Sequence, residues 1–408
     1  MEDLEKIVEQ LQKENDRKAA ADPLTKVSLG LVEEFLKNHP VMCYGGTAIN
    51  NMLPEEDRFY DPEFDVADYD FFSKTPQEHA MILANQLADA GIKNVEVRPG
   101  MHLGTFKVFA DFNGVADITH MDEETFDRLW NEKVIHGGIH YVSPDFLRMS
   151  MFLELSRPQG DVSRWKKVYE RLQLLNKHHP IVCPALEKEP RVLDEKTRKK
   201  IETILRNRPV VLLGITASQV HAKGKHSWTA PVSILANEDT LKSLIKDEAH
   251  TREHKGSEIL PKYTDILDDD KQVVLRIHET NACHSYHQMP NGIRVASIPT
   301  ILQLFFAFMY SDAHKDETAE IICVAQRLMD LVNKKKQRRF ELLTPIDCIG
   351  QQETLIDMRK HKAVLYEKLS KQKESVDFLR YFFTYNPRNT TKTQRAKLRE
   401  QLRKTRRA

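Results

Sequence analysis

Apolar positions recur along the chain with two periods, and their alternation predicts a mixed sheet flanked by helices. Met1 to Ala20 reads as a polar helix with Leu4, Val8 and Leu11 on one side, a face for packing on the body or on a second subunit. Asp22-Pro23 is a helix start, and Val27, Leu31, Phe35 and Leu36 form the inward stripe of a helix to about Asn38. Val41 to Tyr44 reads as a short strand. Thr75-Pro76-Gln77-Glu78 is a capping box opening a helix that ends near Gly91. Val95 to Val97, Phe106 to Ala110 and Val115 to Thr119 read as strands, the last two joined around Asn113-Gly114. Gly138 to Val142 is another strand. Ser143-Pro144-Asp145 starts an apolar helix to about Leu155, and Ser163 is placed to cap a helix carrying Trp165, Val168, Leu172 and Leu175 inward.

The candidate chemistry sits where these elements meet. Gly45-Gly46 follows the first strand, and Thr47 opens a helix. A strand, a glycine turn and a helix N-terminus present free N–H groups to a phosphate. Asp68-Tyr69-Asp70 follows after an insertion, and on a strand two carboxylates two residues apart share a face. Asp117 lies among apolar residues, where an acid needs a partner. Acids aimed at one point repel unless a cation lies between them, and Mg²⁺ takes carboxylate and phosphate oxygens. Lys107 alternates onto a strand near this sheet, toward a triphosphate or toward one of the acids.

The second half echoes the first. Val211 to Ala217 echoes Met42 to Ala48, and Gly292 to Ser297 echoes Gly138 to Ser143, which suggests duplication. The echo lacks the acids: Ile215 replaces Gly46, Val232 to Leu235 has no paired aspartates, and Arg276 stands where Asp117 stood.

Composition narrows the class. The chain has 408 residues, 40% of them hydrophobic, with a net charge of +1, so affinity for nucleic acid must be local. It concentrates toward the C-terminus, where Pro387 to Ala408 holds nine Lys and Arg against Glu400 alone. Lys334-Lys335-Lys336-Gln337-Arg338-Arg339 is a second basic knot, and such clusters neutralise backbone phosphates without reading sequence. Five scattered cysteines predict reduced thiols in a cytosol-like compartment. The charged N-terminus is unlike a secretory signal, and the apolar run Ile298 to Tyr310 is too short to span a bilayer.

Strand–GG–helix, then DxD, then a strand Asp resembles the nucleotidyltransferase superfamily of DNA polymerase beta. Gly160-Asp161 through Arg171-Leu172, containing Ser163-Arg164-Trp165, resembles something narrower: the poly(A) polymerase catalytic subunits of poxviruses and giant viruses. That resemblance, dense from about Pro40 to Lys177, implies an α/β (α+β) fold. It comprises a helix over 1–21, a catalytic domain over 22–185, a degenerate nucleotidyltransferase-like domain over 190–340, and a basic helical segment over 341–408. It implies AMP transfer from ATP to an RNA 3′ end with Mg²⁺ or Mn²⁺. Asp68, Asp70 and Asp117 would be catalytic and metal-binding, and Gly45, Gly46 and Thr47 would cradle phosphates. Arg164, Lys166 and Lys167, crowding a helix's first turn, are the further triphosphate candidates. The expected partners are RNA and a second copy of the chain, or a viral processivity factor, with no membrane. The setting would be a host cytoplasm or a virion. An alternative is another nucleotidyltransferase, a uridylyltransferase or cyclase, or a non-catalytic RNA-binding protein. Twenty-two positions from Gly46 to Asp68 exceed the usual polymerase-beta spacing.

Two histidine patterns are set aside. His250-Thr251-Arg252-Glu253-His254 matches a zinc-protease pattern but lies in a polar stretch without a helical stripe. His278, Cys283, His284 and His287 fit no standard finger spacing.

Overall fold

The computed structural model describes residues 2–184, 191–223, 228–311, 314, 317–333 and 345–405. The chain divides into two compact units, residues 1–143 with 355–408, and residues 144–354.

The first unit begins with α1 (Glu2–Ala21) and α2 (Pro23–Asn38), the latter capped by the Asp22 carboxylate, which accepts from the Thr25 N–H. Its buried face is Ser28, Val32, Phe35 and Leu36. Val27, expected inward, is 51% exposed, because the stripe is rotated by one residue. Then come β1 (Met42–Tyr44), α3 (Gly45–Met52), β2 (Tyr69–Ser73), α4 (Pro76–Asp89), β3 (Glu96–Pro99), β4 (Thr105–Ala110), β5 (Asn113–His120), α5 (Glu123–Asn131), β6 (Val134–His136) and β7 (Ile139–Tyr141). Among the described residues the sheet has the order β3-β4-β5-β2-β1-β7-β6, with β2–β5 and β1–β7 parallel and the other pairs antiparallel. The capping box at Thr75 does not form. Thr75 makes no side-chain cap bond, and its N–H donates to Ser73 Oγ at 2.8 Å. The β4–β5 hairpin is present, but its turn is Asp111-Phe112 (φ 47° and 68°) rather than Asn113-Gly114. That is the left-handed pair a two-residue hairpin turn requires.

The second unit opens with α6 (Pro144–Leu155) and α7 (Trp165–His178). Ser163 does not cap α7. Asp161 caps the preceding short turn by accepting from the Ser163 N–H. Then follow β8 (Arg191–Val192), α8 (Glu195–Asn207), β9 (Val211–Leu213), α9 (Gly214–Lys223), β10 (Thr229–Ala230), β11 (Val232–Ala236), α10 (Glu238–Ile245), β12 (Thr251–His254), β13 (Tyr263–Leu267), β14 (Val273–Glu279), β15 (His284–Gln288), β16 (Arg294–Ala296), α11 (Ile298–Phe308), α12 (Thr318–Asn333) and β17 (Cys348–Ile349). Its main sheet runs β12-β13-β14-β11-β9-β16-β15-β17. Apart from the added edge strand β17, this repeats the order of the first sheet. β9–β11 is antiparallel like β1–β2, β11–β14 parallel like β2–β5, and β9–β16 parallel like β1–β7. Every residue of α11 is buried, and Phe306 stacks on Phe152 of α6 at 6.3 Å between ring centroids. Each such buried aromatic contributes about 1.5–3 kcal/mol.

The expectation of reduced thiols is corrected at four positions. Cys183 and Cys323, and Cys283 and Cys348, are disulfide-bonded, and Cys43 is free and buried. The partners lie 140 and 65 residues apart, so spacing along the chain gave no sign of them.

The chain then returns to the first unit through α13 (Leu355–Leu369), α14 (Val376–Phe382) and α15 (Lys392–Thr405). Gln77 Nε2 donates to the Leu379 carbonyl at 3.3 Å, Lys362 donates to the Gly100 carbonyl, and Tyr385 bridges to Val97 through two backbone bonds of 2.7 and 3.1 Å. Tyr385 thereby covers the open edge of β3, where unpaired backbone groups would otherwise face solvent. The basic knot at Lys334 to Arg339, and Arg406 and Arg407, lie outside the described residues. Among the described residues no helix is long and apolar enough to cross a membrane.

Candidate active site

The site is built on three adjacent strands of the first unit. Tyr44, at the end of β1, lies across from Asp70 on β2, and Asp70 lies across from Asp117 on β5. Cross-strand partners carry their side chains on the same face. Lys107 on β4 is in turn opposite Asp117, and its ammonium is bound to the Asp117 carboxylate. Lys107 therefore meets an acid, the second of its two predicted partners.

Gly45 makes the turn from β1 into α3 at φ +74°, the left-handed region that disfavours side chains. A Cβ there would stand 3.0 Å from Asp70 Oδ2. The helix start and the carboxylate are thus in direct proximity because residue 45 has no side chain. Gly46 and Thr47 continue the first turn of α3, whose leading N–H groups have no partners within the helix. The Thr47 hydroxyl donates to the Asp68 carbonyl at 2.6 Å. It anchors the acidic segment, leaving its N–H as the group for an anion. Tyr44 stacks on Phe72 at 4.0 Å and its hydroxyl bonds Thr119 Oγ1 at 3.0 Å. Burial, then the Asp70 charge, push its phenol well above the ordinary range, so it stays protonated.

Asp68 stands just before β2. Burial and the charge of Asp117 raise its carboxyl above its ordinary value, and Lys107 partly offsets them. The residue remains exposed, so solvent screens the effect. Asp70 is thus paired with Asp117 in register, and Asp68 feels the charge of Asp117. The insertion before them is fastened by Asn50, whose side-chain oxygen accepts from the Phe59 and Tyr60 N–H groups at 2.9 and 3.0 Å. Arg17 of α1 pairs with Glu63 at 2.5 Å. Neither Asn50 nor Arg17 was singled out from the sequence, where both look like ordinary surface residues.

The donor set fits a hard divalent cation in kind: carboxylate oxygens on one face, mutual repulsion, and an ammonium already drawn onto one of them. Among the described residues no three His, Cys, Asp or Glu side chains are gathered into a ready metal site, and the cation on the cluster is Lys107.

Arg164, Lys166 and Lys167 belong to the second unit. Arg164 pairs with Glu154 at 3.0 Å and Lys166 approaches Glu170 at 3.9 Å. The histidine patterns are structural. His250 to His254 runs into the edge strand β12 rather than a helix. Cys283 is in a disulfide, and His278 is fully buried against Phe308 at 5.0 Å.

In the second unit Gly214 (φ +77°) opens α9 as Gly45 opens α3, and a Cβ there would stand 3.2 Å from Ser233. Ser233 and Arg276 hold the register positions of Asp70 and Asp117, so the copy has no carboxylate at either.

A mixed sheet with a glycine-initiated helix beside strand carboxylates is followed by a repeat of the same topology that has no carboxylate at the positions of Asp70 and Asp117, and this two-sheet α/β fold is that of a solved viral polyadenylate synthase. Residues 30–161 match the family model of the poly(A) polymerase catalytic subunit. A protein of Acanthamoeba polyphaga mimivirus named for that subunit is 30% identical over 155 residues, covering 37% of this chain and 26% of that protein. A counterpart from African swine fever virus (isolate Pig/Kenya/KEN-50/1950) is 32% identical over 162 residues, covering 38% and 34%. The matched stretch therefore spans about a quarter to a third of these relatives. The crystal structure of the Megavirus polyadenylate synthase superposes with a TM-score of 0.81 at 18% identity, covering 99% of this chain and 89% of that one. The likeness in fold extends over both units, whereas the likeness in sequence is concentrated in the first.

Proposed function

We propose that the chain is a polynucleotide adenylyltransferase that adds AMP from ATP to RNA 3′ ends without a template. The observation that carries this reading is the register Tyr44–Asp70–Asp117 beside the Gly45 turn, within the stretch that matches the catalytic-subunit family.

Asp68, Asp70 and Asp117 would hold the divalent ions. When bound, such ions supply an acidified 3′-hydroxyl and charge neutralisation for the pyrophosphate leaving group. Gly45 lets the nucleotide's phosphates approach the α3 backbone, where N–H groups can donate to them. Asp117 faces the incoming 3′-hydroxyl. Thr47 keeps Asp68 against α3, and Tyr44, protonated and stacked on Phe72, fixes the rim of the site. The RNA substrate and the preference for ATP are supported by the names of the relatives.

The test is incubation of the full chain with an RNA primer and each nucleoside triphosphate in turn, following extension and pyrophosphate. Extension with ATP foremost, abolished by EDTA, is expected. Extension with UTP foremost would make it a uridylyltransferase. EDTA-indifferent RNA binding without pyrophosphate release would leave a binding protein.

A further inference from the structure

The acidic cluster contains its own cation. Lys107 binds Asp117 from the next strand, and Asp117 stands between Lys107 and Asp70 in register. The pair is unequal in accessibility: the Lys107 side chain is 42% exposed and Asp117 is 20% exposed. The ammonium can therefore swing into solvent while the carboxylate stays on the sheet. The second unit shows the same strand pair bridged with the signs exchanged. Asp265 on β13 holds Lys107's position and Arg276 on β14 holds that of Asp117, joined at 2.8 Å. There the pair is buried, with the Arg276 side chain 8% and the Asp265 side chain 1% exposed, and Arg276 is held further by Glu317 at 3.1 Å. Both units thus bridge these two strand positions with a cation and a carboxylate. In the second it is locked, and in the first its cation can leave.

We propose that Lys107 is a displaceable counter-ion of the active site: it occupies Asp117 until a divalent ion arrives, and its departure sets the affinity for that ion. The proposal rests on the reading of Asp68, Asp70 and Asp117 as ion ligands. A monovalent ammonium and a divalent ion cannot share one carboxylate without repelling each other. Occupancy by Lys107 therefore lowers apparent metal affinity while limiting repulsion among the acids before loading. A residue that merely braced the sheet would have the opposite effect on binding when removed. Lys107 acts through Asp117, as a positioning residue.

The experiment titrates the full chain with Mn²⁺, without nucleotide or RNA, counting free ion by its electron paramagnetic resonance signal. Lys107→Gln is expected to bind Mn²⁺ about tenfold more tightly than the natural chain, through loss of a like charge at contact distance. Lys107→Arg keeps the charge and grips a carboxylate with two N–H groups, so it is expected to bind several-fold more weakly. Lys74→Gln, whose ammonium pairs with Asp127 at 2.6 Å beyond the other end of β2, is expected to leave binding unchanged. Equal or weaker binding by Lys107→Gln overturns the proposal, as does equal tightening by Lys74→Gln or no Mn²⁺ binding by the natural chain. Should Lys107→Gln fail to fold, Lys107→Arg decides: weaker binding supports the proposal, and equal or tighter binding overturns it. Because no nucleotide is present, tightening without primer extension would sink the polymerase reading alone. Extension without tightening would sink only the counter-ion.

Discussion

Arg276 lies across from Ser233 in the register that sets Asp117 across from Asp70 in the first sheet. The backbone scaffold has been kept and its charge reversed. In place of an acid that attracts a cation, the second unit carries a guanidinium already neutralised by Asp265 and Glu317.

Asp117→Asn is expected to lower primer extension roughly a thousandfold, through loss of transition-state charge stabilisation. ATP binding and melting temperature should change little. Extension rates beside a thermal melt check this, and near-natural extension would remove Asp117 from the chemistry.

Gly45→Ala should cost about 1–2 kcal/mol from its left-handed backbone and should also impair extension, because the new methyl group reaches Asp70. Gly214→Ala, at nearly the same φ in the second unit, should show a similar stability loss with extension intact. Urea unfolding and extension assays on both variants separate the two effects.

Arg276→Met should destabilise the second unit by about 3–5 kcal/mol, because it strips the cation from a buried carboxylate. Adding Asp265→Leu should restore most of that loss, since an apolar pair replaces the uncompensated charge. Thermal melts of the single and double variants test this, and a double variant no better than the single would refute it.

Asp68 has a raised carboxyl pKa, so the folded chain holds its proton more tightly than an unfolded chain does. Its contribution to stability is fully present below 3.8 and is lost as the pH rises through the higher folded value. Metal binding runs the other way and should weaken on acidification earlier than an ordinary aspartate would dictate. Mn²⁺ titrations from pH 4 to 7 should show this step. A profile unchanged in Asp68→Asn would remove Asp68 from it.

On α15, Lys392, Arg395, Arg399 and Arg403 line a cleft with Asn85 and Asp89 of α4, about 770 Å³ in volume. Replacing Lys392, Arg399 and Arg403 with Gln should weaken RNA binding alike for all sequences. It should also flatten the salt dependence by about 0.7 per lost phosphate contact. Anisotropy titrations at several salt concentrations measure it, and an unchanged slope would leave this cleft out of the RNA path.

The polar and apolar pattern made the strand–glycine–helix unit, the paired acids and the echo legible, because each is a local signal. Gly214, Ser233 and Arg276 fall at the register positions the echo implied. What the pattern did not show depends on neighbours distant in the chain. The bond between Lys107 and Asp117 needed the hairpin register, which a turn at Asp111-Phe112 sets. The cysteine pairs needed the fold of the second unit. At Thr75, the local capping motif is overridden by the Ser73 hydroxyl, which takes its N–H.

The hold of Tyr385 on Val97 makes the first unit discontinuous in the gene product, interrupted along the sequence by residues 144–354. Synthesis is vectorial, so Asp68, Asp70 and Asp117 leave the ribosome long before the segment that seals β3. A nascent chain can thus carry all three aspartates while its β3 edge is still bare, and a stop codon ahead of Tyr385 would leave it so.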